Sequence, residues 1–127
     1  MFSVSFVIPC YNCEKFIIEN IKKLKKKILS LKIKYEIILI DDGSNDSSCK
    51  KIKNYIKKNK FISLFENKKN QGKSFSVIKG IKKSKYSFVI MIDCDLPYFN
   101  SLNKIVLHLK NKADLVIINR KLKDSKL

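Results

Sequence analysis

The segment Phe88-Val89-Ile90-Met91-Ile92 is a short, continuous apolar run that ends in Asp93-Cys94-Asp95-Leu96-Pro97. A run of this length, without polar alternation, suits a strand buried on both faces of a parallel sheet. The proline that follows stops regular pairing. Burying a carboxylate without partners is costly, so both aspartates belong at the sheet's carboxyl edge, where open α/β sheets bind ligands. Two hard oxygen donors one residue apart can hold Mg²⁺ or Mn²⁺ there, with substrate phosphates supplying further ligands. Taken alone, the pair is equally well a solvated turn, and the rest of the chain has to decide.

Upstream, residues 4–8 read as a first strand that Pro9 ends, and Asn12 as the N-cap of a helix over 13–29 with Ile17, Ile21, Leu24 and Ile28 at helical spacing. Residues 36–40 form a second strand, followed by the polar loop 41–48 and a helix marked by Ile52, Tyr55 and Ile56. Residues 61–65 form a third strand, and the loop 67–74 leads into a helix whose apolar face is Phe75, Ile78 and Ile81. Beyond the Asp-x-Asp lie a helix over 100–110, a fifth strand over 113–118 running into Arg120, and a polar tail from 122 to 127. This alternation predicts an α/β fold: a mostly parallel sheet sandwiched by helices, with right-handed crossovers. Residues 1–121 read as one domain, and the polar loops after strands one, two and four converge on one edge. Gly72, ahead of a helix, adds a place where free amides favour a phosphate.

Charge narrows the partners. Lys+Arg 28 against Asp+Glu 11 gives +17, and Arg120 is the one arginine. Codon bias from an AT-rich genome explains such lysine richness most simply. Nucleic-acid binders usually interleave aromatics and arginines with their lysines, so no specific nucleic-acid binding is expected. Lysines on helical faces, such as Lys22-Lys23 and Lys25-Lys26-Lys27, suit solvated surface or peripheral contact with an anionic membrane. No apolar run approaches the roughly 20 residues of a membrane span, and Met1-Phe2-Ser3-Val4-Ser5 lacks signal-peptide features, which predicts a cytoplasmic protein. Cys10-x-x-Cys13 has metal or redox spacing, but no second pair completes a zinc site, so Cys10, Cys13, Cys49 and Cys94 read as reduced thiols. His108, on an apolar-periodic segment, reads as packing or surface. Oligomeric assembly is compatible with the sequence.

A nucleotide offers a base, a ribose and phosphates, and strand-end residues can meet each part. Asp42 can accept a charge-assisted hydrogen bond from a base imide N–H, as in uracil or guanine. Pro9 and Tyr11 can flank the base. Asp93 and Asp95 suit ribose and metal, where a cation would neutralise a departing diphosphate as a Lewis acid. Arg120 can steady the same phosphates with its bidentate fork. Each residue also has a plain structural use: Pro9 and Gly43 in turns, Tyr11 over core, Arg120 as surface charge, Glu14 at a helix dipole.

Five motifs stand in order: Val7-Ile8-Pro9-Cys10-Tyr11-Asn12-Cys13-Glu14, Ile40-Asp41-Asp42-Gly43-Ser44-Asn45-Asp46, Asn70-Gln71-Gly72-Lys73, Asp93-Cys94-Asp95-Leu96 and Asn119-Arg120. In this order and spacing the chain resembles the family 2 glycosyltransferases of GT-A fold, in particular the polyprenyl-phosphate sugar transferases. The resemblance implies a Rossmann-like nucleotide-diphospho-sugar transferase fold, cut short at the acceptor half. It implies a UDP- or GDP-sugar donor bound by Pro9, Tyr11, Glu14, Ile40 and Asp42, with Gly72, Lys73 and Cys94 also at the donor and Arg120 near its phosphates. Asp93 and Asp95 are then the catalytic and metal residues, with Mg²⁺ or Mn²⁺ as cofactor. Family members transfer with inversion, here to a polyprenyl phosphate or a glycan. The family pattern continues into acceptor-binding elements and often a carboxylate general base, which these residues do not include. An acceptor that is already an anion needs no base; a non-catalytic or partner-dependent donor-binding module is the alternative. A nucleotidyltransferase ranks lower, because Tyr11-Asn12 stands where a Gly-rich triphosphate loop is needed.

Overall fold

The computed structural model describes residues 1–97 and 99–116. It forms two compact units, Met1–Asp95 and a second that begins at Leu96. The first unit runs β1 (Ser3–Cys10), α1 (Ile17–Ser30), β2 (Lys34–Asp41), α2 (Ser48–Ile56), β3 (Ile62–Glu66), α3 (Lys73–Lys83) and β4 (Phe88–Met91). The second holds a 3-10 turn, Phe99–Ser101, and α4 (Leu102–Lys110).

The four strands are parallel, in the order β3-β2-β1-β4. β1 is central, pairing with β2 from Ser3 opposite Lys34 to Cys10 opposite Asp41, and with β4 from Val4 opposite Phe88 to Val7 opposite Met91. Val4, Phe6, Val7 and Ile8 are buried, as are Ile37 to Ile40 of β2, giving the continuous apolar strands that a doubly covered sheet requires. The chain steps across the sheet in one direction from β1 to β3 and reverses to reach β4. Right-handed crossovers therefore put α1 and α2 on one face and α3 on the other. Ile17, Ile21, Leu24 and Ile28 of α1 are all buried, at spacings of four, three and four that make one stripe. At the sheet's amino end, Ser5 donates to Glu36 at 2.5 Å, while the Tyr86 and Lys85 amides donate to Ser5 Oγ and Glu36 Oε1. That pair of polar side chains fixes where β4 enters.

Several expectations need correction. Pro9 lies inside β1, opposite Ile40, rather than ending it. The Ile92 amide donates to Val7 O, so Val7 and Pro9 turn their backbone polar groups toward β4. Regular pairing with β4 stops at Val7, so the donor that proline lacks faces no partner strand. α1 starts at Ile17 with Phe16 as its N-cap, not at Cys13 with Asn12 as cap. Asn12 has a left-handed φ of 47° and instead joins the loop after β2. β4 is not buried on both faces: Met91 is 46% exposed.

The third helix is turned the other way from its predicted apolar face. Ser76 and Gly80 are its buried residues, while Phe75, Ile78 and Ile81 are each about half exposed. A Cβ on Gly80 would sit 2.3 Å from Val7 Cγ1, so only the smallest residue allows α3 to lie this close to β1. In the second unit, Leu102, Val106 and Leu109 are the buried stripe of α4. Residues 113–116 are not a strand. The Ala113 amide donates to His108 O and Lys112 has φ 69°, which is the closing geometry of a helix end and uses up the start of the expected strand. The remainder of that strand, 117–118, lies outside the described residues, as do Arg120 and the tail.

Candidate functional site

The chain leaves β1 toward β2 and returns on its other side as β4. The carboxyl ends of β1 and β4 thus diverge at a topological switch point, where open α/β sheets form a crevice. A cavity of about 420 Å³ lies there. Pro9, Cys10 and Tyr11 line it from the end of β1, and Phe16 from the start of α1. Asp42 contributes from the end of β2, and Asn70, Gly72 and Lys73 from the approach to α3. Asp93, Cys94 and Asp95 complete it from the end of β4. Asp42 and Asp95, distant in sequence, therefore face one space. A larger cleft of about 880 Å³ beside α2 is lined chiefly by lysines and holds none of these groups.

Asp42 is 5% exposed and its carboxylate accepts three hydrogen bonds. Oδ1 accepts from Asn67 Nδ2 at 2.9 Å and from the Gln71 amide at 2.7 Å, and Oδ2 accepts from the Gly72 amide at 2.9 Å. Asn67 also donates to Ser76 Oγ and accepts from Lys79. Asp42 is thus a clamp that holds the 70–72 turn, and with it the start of α3, against the end of β2. Asp42 also lines the cavity, and its Oδ2 accepts a single bond here. Its neighbour Asp41 accepts from the Ser44 amide and hydroxyl. Gly43, at φ 72°, has no room for a side chain, because a Cβ would lie 2.6 Å from Asn70 N and from Lys69 C. The loop after β2 and the loop before α3 are therefore packed backbone to backbone.

The loop after β1 is tied to the loop after β2 in the same manner. The Asn12 amide donates to Ser44 Oγ, and Asn12 Oδ1 accepts from the Asn45 amide. The Cys13 amide donates to buried Ser48 Oγ. The Glu14 amide donates to Asp46 Oδ2, and Glu14 Oε2 accepts from the Ser47 amide. Burial alone would raise the Asp46 carboxyl, but donors from Ser48 and the Glu14 amide hold it below the usual carboxylate range. Glu14 serves as a brace here and does not line the cavity. Ile40 is fully buried in β2 and likewise does not reach it.

At the β4 end, Asn20 Nδ2 donates to Cys94 O at 2.9 Å and pins the middle of Asp93-Cys94-Asp95 to α1. Lys73 Nζ pairs with Asp93 Oδ1 across the cavity. The Cys94 thiol meets those of Cys10 and Cys13. Hydrogen bonds from Cys10 and then Cys13 pull it down to about 4, against burial and the Asp95 charge. The Cys10 thiol is correspondingly pushed up, first by the Cys13 and Cys94 sulfurs and then by burial. All four cysteines are free thiols.

Among the described residues, no group of three His, Cys, Asp or Glu side chains is placed to hold a metal ion alone. Asp93 and Asp95 offer two hard carboxylates at the rim of an open cavity. That donor set fits a Mg²⁺- or Mn²⁺-like ion, which takes further ligands from phosphate and water, and does not fit a closed protein cage. Sequence reasoning missed Phe16, Asn20, Asn67 and Ser76. Phe16 was hidden inside the predicted helix, and it adds a second aromatic, 37% exposed, beside Tyr11. Asn20, Asn67 and Ser76 act through tertiary contacts that carry no local signal.

Residues 5–127 match the family model described as Glycosyl transferase family 2. The chain belongs to this family. It is 36% identical over 125 residues to a dolichyl-phosphate beta-glucosyltransferase of Dictyostelium discoideum, covering 91% of this chain but 38% of that protein. Among solved structures it resembles TarS 1-349 of S. aureus, with TM-score 0.72 and 20% identity over 99% of this chain and 37% of that one. It also resembles the mannosyltransferase PcManGT of Pyrobaculum calidifontis, solved with GDP-Man and Mn²⁺, with TM-score 0.62 and 20% identity over 72% of this chain and 27% of that one. These structural likenesses are of fold: the parallel sheet with its helices is GT-A. No helix among the described residues is long and apolar enough to cross a membrane.

Proposed function

We propose that this chain binds a nucleoside-diphosphate sugar and serves as the donor side of an inverting glycosyltransferase whose acceptor is a polyprenyl phosphate. The observation that carries this reading is the cavity at the switch point, into which four segments bring Pro9, Tyr11, Asp42, Gly72, Lys73, Asp93 and Asp95 together. Tyr11 and Phe16 supply aromatic faces for a base. The start of α3 and Lys73 supply positive potential for a diphosphate. Asp93 and Asp95 would hold a divalent cation, which supplies Lewis-acid neutralisation of the leaving diphosphate. UDP and GDP are both candidates, since TarS 1-349 has been solved with UDP-GlcNAc and PcManGT with GDP-Man.

Charge favours a phosphate as the acceptor. Among the described residues, the carboxylates lining the cavity are Asp42, engaged in its clamp, and Asp93 and Asp95, which would face the cation. A phosphate monoester is already an anion and needs no general base; its oxygen attacks the anomeric carbon opposite the departing diphosphate. The Dictyostelium relative is named for such a lipid phosphate. The second reading is a donor-binding module completed by other elements, favoured because the chain spans 38% of that relative. Calorimetry with UDP- and GDP-sugars in Mn²⁺ tests the donor site: binding by wild type that Asp95→Ala weakens is expected. Equal binding by both proteins, or none, would reject it. Sugar transfer to a short polyprenyl phosphate by the isolated chain would remove the second reading.

A further inference from the structure

Lys73 and Asp93 face each other across the donor cavity from anchored positions. Gly72, the N-cap of α3, is held by Asp42 through its amide, so the first helical residue, Lys73, has a fixed starting point. Asp93 follows Ile92, whose amide donates to Val7 O and ties the end of β4 to β1. The lysine side chain spans the opening and pairs with Asp93 Oδ1. Lys73 is 56% exposed and Asp93 28%, so the ammonium remains free to swing away. An ammonium and a divalent cation repel each other, so an ammonium held on Asp93 weakens that carboxylate's hold on a cation. A diphosphate, by contrast, attracts that ammonium.

We propose that Lys73 is the built-in counter-ion of Asp93, which opposes a divalent cation there and which the donor's diphosphate draws away. The proposal rests on the donor-site reading above and adds an order to it. Without nucleotide, Lys73 neutralises Asp93 and lowers the site's affinity for the cation. With nucleotide, the ammonium transfers to the diphosphate and Asp93 becomes available. Nucleotide and cation then strengthen each other's binding by the same factor, as linkage requires. Lys73 is a positioning residue: it sets when the carboxylate is exposed.

Mn²⁺ binding to the full chain, followed by calorimetry and by electron paramagnetic resonance, tests this without any turnover. Wild type, Lys73→Gln, Asp93→Asn and Lys82→Gln are compared with Mn²⁺ alone, then with UDP or GDP present. Lys82 is on the same helix, so its variant removes one charge without touching the pair. The expected result is Mn²⁺ affinity about two- to fivefold higher in Lys73→Gln, the range an exposed pair supports. Asp93→Asn should lose affinity and Lys82→Gln should match wild type. Added nucleotide should tighten Mn²⁺ binding more in wild type than in Lys73→Gln. If neither nucleotide binds but Lys73→Gln still tightens Mn²⁺, the donor reading fails and the counter-ion stands. Unchanged or weaker Mn²⁺ binding by Lys73→Gln, or an equal gain in Lys82→Gln, overturns the proposal.

Discussion

Replacing Asp42 by asparagine separates a structural clamp from a base acceptor. The side chain keeps its shape, but one of its two oxygens becomes an NH₂. Placed at Oδ2, that group faces the Gly72 amide, donor against donor; placed at Oδ1, it faces both Asn67 Nδ2 and the Gln71 amide. The better orientation therefore loses the Gly72 bond. A hydrogen bond to a charged group contributes about 1.5–3 kcal/mol, and the two surviving bonds lose their charge assistance. Relief of the buried charge offsets part of this, leaving an expected loss of about 2–4 kcal/mol. For a chain of this size each kcal/mol moves the melting temperature by roughly 3–5 °C, so a drop of about 10 °C is expected. Urea unfolding gives the free energy directly, and calorimetry with UDP and GDP reports the site. Because the 70–72 turn carries Lys73, nucleotide affinity should fall together with stability. A variant within about 0.5 kcal/mol of wild type, with unchanged denaturant slope, would refute the clamp. Lost nucleotide affinity at full stability would instead restore the direct role in holding a base.

Three further outcomes follow from the packing. Gly80→Ala gains about 1 kcal/mol of helix propensity but drives a methyl into Val7, so a net loss of about 1–2 kcal/mol is expected. A double-mutant cycle with Val7→Ala should recover most of it, and simple additivity would contradict the close approach. Gly43→Ala combines a left-handed φ with a Cβ 2.6 Å from the backbone at 69–70, and should cost more than about 2 kcal/mol by urea titration. Asp46 and Glu66 are both held below the usual carboxylate range, Asp46 by Ser48 and Glu14 against its burial, Glu66 by Lys53 and Cys49. Folded carboxyls with depressed values contribute stability that is full above their unfolded values, near about pH 4, and is lost as pH falls through the folded ones. Urea midpoints should therefore drop on acidification below about pH 4, and less steeply in Asp46→Asn; an identical slope in that variant would rule Asp46 out as a contributor.

What local chemistry can encode was legible in the chain. Apolar runs at 4–8 and 36–40 mark strands because a doubly covered parallel strand has no polar face. The 17, 21, 24 and 28 spacing marks one helix face, and acidic residues at strand ends mark the edge where the cavity opens. Boundaries erred where backbone context overrides side-chain preference, as at Pro9, whose missing donor does no harm where pairing with β4 has stopped. The third helix misled because its Phe75, Ile78 and Ile81 read as a core stripe, whereas backbone contact selected Ser76 and Gly80 for the inner face.

By itself, then, the sequence determined the alternating α/β class, the carboxyl edge as the place where Asp42, Asp93 and Asp95 gather, and the family to which the chain belongs. Only the tertiary structure decided how the residues are employed there. Asp42 is bound by residues 25 to 30 positions away, Asn20 reaches Cys94 across 74, and Lys73 meets Asp93 across the mouth of the cavity. Periodicity reports which way a side chain faces along its own element; it carries no record of which element will lie opposite. That pairing arises when the chain direction reverses between β3 and β4 and brings the two ends of the sheet's central crevice together.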